Sequence, residues 1–216
     1  MTDVHPSRLR ASLEEFRGTR ARTLTLVARL SQEQLDYAPA PSKWSAGEVL
    51  DHVLLAEGAN RGQVAKLIEL KRGGRRPELR LTFSDLNVSV AYVPRSALPL
   101  LETPLTILNM FVPDGLRNYL TRNRLVPFQN PDVAAPRRGR AAQRLCADLA
   151  DSLRETGALL RNNPDLDYGE MIVQHPLLGR YDVPGLLRFM SAHEQRHQSQ
   201  INDILSDPRF PRAARL

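Results

Sequence analysis

The sequence predicts an all-α fold: a four-helix bundle with a long crossover containing short helices between its second and third helices. Four segments carry apolar residues at the three- and four-residue spacing of one helix face. Capping patterns and Gly or Pro breaks bound these segments. The stretch between the second and third, Arg75 to Arg140, is too long for a structureless loop in a compact domain. A chain of 216 residues, 42% hydrophobic, suits a single domain over residues 1–216 with one sizeable core.

The first helix is expected from about Ser7 to Leu30, with Leu9, Leu13, Phe16, Leu24, Val27 and Leu30 on one side and Pro6 restricting its start. Ser31-Gln32-Glu33-Gln34 is a small capping-box pattern that begins a separate turn of helix before Pro39 and Pro41 break the chain. In the second helix Ser45 and Glu48 form an S-x-x-E capping box, with Trp44 and Val49 placed to close a hydrophobic staple. It runs to about Leu70 and stops at Gly73-Gly74. The crossover holds eight prolines, and Leu105 to Phe111 and Asp114 to Arg122 read as its short helices. The third helix spans about Ala141 to Arg161, with Leu145, Leu149, Leu153 and Leu160 as its stripe. The fourth runs from near Pro184 to about Leu205. Its inward residues Leu186, Met190, His193, His197, Ile201 and Ile204 place two histidines inside an apolar face.

No stretch approaches the roughly 18 continuous apolar residues of a membrane span, and Met1 to Arg10 lack the apolar core of a signal peptide. A soluble, cytoplasmic protein is expected. Cys146 is the single cysteine, which excludes an internal disulfide and a cysteine zinc cluster; it reads as a small buried thiol. The net charge of +6 concentrates in Lys71-Arg72-Gly73-Gly74-Arg75-Arg76 and Arg137-Arg138-Gly139-Arg140. With only 6% aromatic residues to stack on bases, these runs read as solvated loop charge and argue against a nucleic-acid partner. An anionic small-molecule ligand stays open.

His193 and His197 stand one helical turn apart, the spacing at which two imidazoles bind one metal ion. Such a pair arises by chance in roughly one sequence in ten of this histidine content, and two hydrogen-bonded core histidines are the alternative. Burying two imidazoles in an apolar stripe without partners is costly, which favours ligands. The string His193-Glu194-Gln195-Arg196-His197 is a literal H-E-x-x-H, in which zinc proteases use the glutamate as general base. Those enzymes draw a third ligand from downstream, and the 19 residues after His197 contain neither Glu nor His, only Asp203 and Asp207. A third ligand therefore comes from upstream. His5 lies near the terminus and His175 in the turn-like Gln174-His175-Pro176-Leu177-Leu178-Gly179. His52 sits two turns into the second helix beside Val49, Val53 and Ala56.

The blocks Trp44-Ser45-Ala46-Gly47-Glu48-Val49-Leu50-Asp51-His52 and His193-Glu194-Gln195-Arg196-His197-Gln198-Ser199-Gln200-Ile201, with His175-Pro176 and Gly179 before the last helix, resemble the DinB-like / YfiT superfamily. The resemblance covers most of the chain in helix order. It implies an up-up-down-down four-helix bundle with a divalent metal held by one histidine of the second helix and an H-x-x-x-H pair of the fourth: His52, His193 and His197. It also implies thiol-dependent transferase or isomerase chemistry with a low-molecular-weight thiol, as in some members, and it allows a homodimer.

Three neutral imidazoles leave the double charge of an ion uncompensated and one side open, which lowers the pKa of a bound water and deprotonates a thiol. The expectation is a metal-dependent enzyme with thiol S-transfer chemistry on a small-molecule substrate. Metal-assisted hydrolysis and a non-catalytic metal- or ligand-binding bundle of a stress response are the alternatives. Nitrogen donors accept zinc, nickel, iron or copper. Glu194 points about 100° away from the ligand face and is read as a surface residue or a support for a ligand. Asp51 is comparable, Glu48 is taken up by capping, and Glu57 and Gln200 have no assigned role; no residue is assigned as catalytic.

Overall fold

A computed structural model of the chain describes residues 4–82, 116, 119, 134–175 and 179–212. Its elements are α1 (Val4–Val27), α2 (Gln32–Asp36), α3 (Ala46–Arg72), β1 (Glu78–Arg80), α4 (Ala142–Arg161), β2 (Ile172–His175), β3 (Gly179–Asp182) and α5 (Val183–Leu205). The expected short helix 105–111 lies outside the described residues. Of the expected helix 114–122, only Leu116 and Tyr119 are described, both helical and exposed.

Both capping boxes form. Ser31 Oγ accepts from the Gln34 amide while the Gln34 side chain accepts from the Ser31 amide, and Ser45 and Glu48 repeat the exchange at 3.1 and 2.9 Å. Each cap satisfies amides that have no partner within the helix and is worth about 1 kcal/mol. At the other end of α3 the chain turns at Gly74, whose φ of 67° favours glycine. The Gly74 amide donates to the Lys71 carbonyl and the Arg75 amide to the Leu70 carbonyl, at 3.1 and 2.8 Å, which closes a Schellman motif. α1 begins three residues earlier than expected. Pro6 falls in its first turn, where a missing N–H is tolerated. At the start of α5, Asp182 Oδ1 accepts from the Gly185 amide at 2.7 Å; a Cβ on Gly185 would lie 2.9 Å from that oxygen.

The long helices bury two apolar clusters. Leu13, Phe16, Val64, Leu67, Leu160, Leu186, Leu187 and Met190 belong to one, and Val27, Val49, Leu50, Leu145, Leu149, Ile201 and Ile204 to the other. Following each helix from one cluster to the other fixes its direction: α1 and α5 run one way, α3 and α4 the other. The order is therefore up-down-down-up, which corrects the up-up-down-down order that the family resemblance implied. α1 packs on α5, α3 on α4 and α5, and α4 also on α1. Because α3 and α4 are parallel, the chain must travel back a full helix length between them.

The expectation of an all-α chain is also corrected, by a three-stranded sheet of order β1-β2-β3. β1 pairs parallel with β2 and β2 antiparallel with β3, with Leu79 opposite Val173 and Val173 opposite Tyr181. Met171, Val173 and Tyr181 join the first cluster, and Leu79 and Leu81 pack against it. The sheet thus covers the end of the interior at which α3 stops and α5 begins. No helix among the described residues is long and apolar enough to cross a membrane.

The basic runs are mostly exposed, as the sequence suggested, but several of their side chains are also paired. Lys71 pairs with Glu170 at 2.9 Å, Arg72 with Asp165 at 2.6 Å, and Arg140 with both Asp51 and Asp148. Cys146 is half-buried against the second cluster, and burial pushes its thiol pKa up.

Candidate metal centre

Between the two apolar clusters every long helix turns polar on its inner face. On α1 the stripe Leu13, Phe16, Val27 is continued by Arg20 and Thr23; on α3 Val49, Val53 and Val64 are interrupted by His52 and Glu57. On α4 Ser152 and Thr156 stand between Leu149 and Leu160, and on α5 His193, Glu194 and His197 stand between Met190 and Ile201.

The structure brings His52, His193 and His197 together, and leaves His175 apart in the hairpin, paired in register with Gly179. His193 Nε2 lies 3.4 Å from His52 Nε2 and 3.2 Å from His197 Nε2. The ring centroids are 4.6 to 5.3 Å apart. His52 and His197 are only 2% and 5% exposed, and His193 is half-buried. Trp44, which precedes the α3 cap, stacks at a tilt on His52 with a centroid distance of 5.0 Å. The best-formed helix start in the chain therefore also backs one ring of the triad.

The far side of two rings fixes which nitrogen faces inward. His52 Nδ1 lies 2.8 Å from the Ala134 carbonyl oxygen, and His197 Nδ1 lies 3.0 Å from Gln200 Oε1. A carbonyl oxygen only accepts, so each Nδ1 carries the proton and each Nε2 keeps its lone pair. Burial lowers the pKa of His52, and lowers that of His193 well below the usual histidine value, with the neighbouring His197 and His52 adding to the effect. At neutral pH these two rings are uncharged. Lone pairs crowded at 3.2–3.4 Å repel one another unless a cation or a shared proton lies between them. Four-coordinate zinc, with nitrogens about 2.0–2.1 Å away, separates neighbouring donors by roughly 3.3 Å. The donor set, its tautomers and its spacing fit a divalent ion with one side open.

Glu194 is not the surface residue that its angle on the helix suggested: it is 1% exposed. Its carboxylate accepts from Arg20 Nε at 2.8 Å, Arg20 Nη2 at 3.1 Å and Thr23 Oγ1 at 2.5 Å. Arg20 Nη2 also reaches Glu57 Oε2 at 2.8 Å, Arg20 Nη1 donates to the Leu149 carbonyl, and Thr156 donates to Glu57 at 2.9 Å. Three donors from α1 hold the Glu194 carboxylate in place, so it is committed to this ion network rather than free to serve as the base of a zinc protease. Sequence reasoning passed over Arg20. The signal that could have found it is the spacing Leu13, Phe16, Arg20, Thr23, Val27, in which a charged residue occupies an inward position of a helix stripe.

A small pocket adjoins the triad. His193 lines it together with Phe16, Val53, Ala56 and Met190 on its apolar side, while Arg20, Glu57 and Glu194 form its polar wall. The space inside admits about one water molecule.

The sequence profile of the DinB superfamily matches residues 15–201 of the chain. No curated protein and no solved structure matches it.

Proposed function

Since the chain belongs to the DinB superfamily, we propose that it is a metal-dependent enzyme in which His52, His193 and His197 bind one divalent ion. The observation that carries this reading is the approach of three imidazole nitrogens, one from each ring, within 4.8 Å of one another. The first chemistry proposed is transfer of a low-molecular-weight thiol to an electrophilic small molecule, and metal-assisted hydrolysis is second. Up-down-down-up packing of four helices around the centre, and a homodimer as the assembled form, belong to the same reading.

Bound among these nitrogens, a divalent ion would lower the pKa of a thiol or a water arriving at its open side. The protein's own part is to prepare that place. The Ala134 carbonyl and Gln200 hold the two Nδ1 protons, which turns the Nε2 lone pairs inward. Phe16, Val53, Ala56 and Met190 form the apolar side of the adjoining pocket, whose small volume limits competing water. Arg20, Glu57 and Glu194 hold the four helices at a fixed spacing, so the rings from α3 and α5 stay aligned. Zinc, nickel and iron all suit the donor set.

The test is turnover by the metal-reconstituted protein, offered a panel of low-molecular-weight thiols with electrophilic acceptors and, separately, activated esters and amides. Metal-dependent loss of free thiol, abolished by a chelator, is the expected result. Hydrolysis without thiol consumption would select the second chemistry. Inactivity towards every substrate despite stoichiometric metal would favour a non-catalytic binding bundle of a stress response.

A further inference from the structure

The group that orients His52 is not on a long helix. It is the main-chain carbonyl of Ala134, in the stretch of chain that leads into α4. A carbonyl can hold a ring in one orientation only if the chain that bears it is itself held. Ala134 is 2% exposed, and the six residues after it are fastened to α3 within one turn of His52. The Arg137 amide donates to Asp51 Oδ2 at 2.7 Å, and the Arg140 guanidinium donates to Asp51 Oδ1 and to Asp148 of α4. Arg138 reaches Glu48 Oε2 at 3.1 Å.

These fastenings are unequal. Arg138 is 55% exposed, so its pair with Glu48 is screened and contributes little. Asp51 is 1% exposed and both of its oxygens are engaged, one by a backbone amide and one by a guanidinium. Charge-assisted hydrogen bonds away from water are the strong ones, and losing either partner leaves a buried carboxylate short of donors. Asp51 is also the immediate chain neighbour of His52, so the clamp closes one residue from the ring it serves.

We propose that Asp51 and Arg140 are positioning residues of the metal centre: they dock residues 134–140 on α3, so that the Ala134 carbonyl holds His52 with its Nε2 lone pair turned toward His193 and His197. This rests on the reading that the three histidines bind a metal ion, and it gives the second basic run a task at that centre. Without the clamp the His52 ring is free to rotate and to place its proton on Nε2, the nitrogen needed for the ion. Groups that orient a ligating histidine in this way typically account for about 10–100-fold in metal affinity.

Zinc dissociation constants of the full-length protein, measured by competition with a chromogenic chelator, test the proposal together with the imidazole ¹⁵N spectrum of the metal-free form. The variants are Arg140→Ala and Asp51→Asn, with Arg144→Ala as control, since Arg144 is 78% exposed and touches Asp148 but not Asp51. Arg140→Ala and Asp51→Asn should weaken zinc binding about 10–100-fold and shift His52 from the Nδ1–H tautomer to a mixture, with helical circular dichroism retained. Arg144→Ala should change neither. If Asp51→Asn does not fold, Arg140→Ala alone decides, because it leaves α3 intact. Wild-type affinity in a folded Arg140→Ala, an unchanged tautomer, or equal weakening by Arg144→Ala would overturn the clamp and leave the metal reading standing. Absence of zinc binding by the wild type would overturn both.

Discussion

Replacing His193 by alanine is expected to reduce the metal content of the purified protein from about one equivalent to almost none. His193 stands between the other two ligands: its Nε2 makes both of the close approaches, 3.4 Å to His52 and 3.2 Å to His197. Its loss leaves two nitrogens on different helices, a set with too few donors for tight binding. The effect should exceed the roughly 10–100-fold associated with losing an orienting partner. His52→Ala should behave alike, since it removes the one ligand from α3. His175→Ala should keep its metal, because that ring belongs to the β2–β3 hairpin and not to the triad. Elemental analysis after gel filtration reads the result. Unchanged metal in both His193→Ala and His52→Ala would contradict the site.

Replacing Arg20 by methionine is expected to destabilise the fold by about 3–5 kcal/mol, measured by urea unfolding of the metal-free protein at neutral pH. Arg20 is 1% exposed and joins Glu57 of α3 to Glu194 of α5 while donating to the Leu149 carbonyl of α4. Methionine fills much of the volume but leaves two buried carboxylates without their shared cation. Removing one member of a buried ion network costs far more than the intact network is worth against an apolar replacement. The triple variant Arg20→Met, Glu57→Gln, Glu194→Gln should therefore recover a large part of the loss. A change under about 1 kcal/mol in the single variant would mean that solvent already screens the network.

Helix boundaries and the histidine cluster were legible because each leaves a mark over a short stretch of sequence. Ser45 and Glu48 announce α3, Pro184 sits in the first turn of α5, and His193 and His197 interrupt an apolar stripe at helical spacing. The sheet was not legible. Strands of three or four residues are too short for alternation to register, and β1 finds its partner β2 only across the crossover. The helix order was missed for a related reason. Helix direction is set by which end of the interior each stripe reaches, as when Val64 and Leu67 join Leu13 and Phe16 in one cluster. The orienting groups divide in the same way. Gln200 lies three residues from His197 and falls on the same helix face, whereas Ala134 lies 82 residues from His52 and acts through its backbone, which no side-chain pattern records.

X-ray absorption at the zinc edge of the reconstituted wild-type protein tests the central claim most directly. The account predicts three imidazole nitrogens at about 2.0–2.1 Å and a further light or sulfur scatterer at the open side, exchangeable with added thiol. A best fit with two imidazoles or fewer would contradict it.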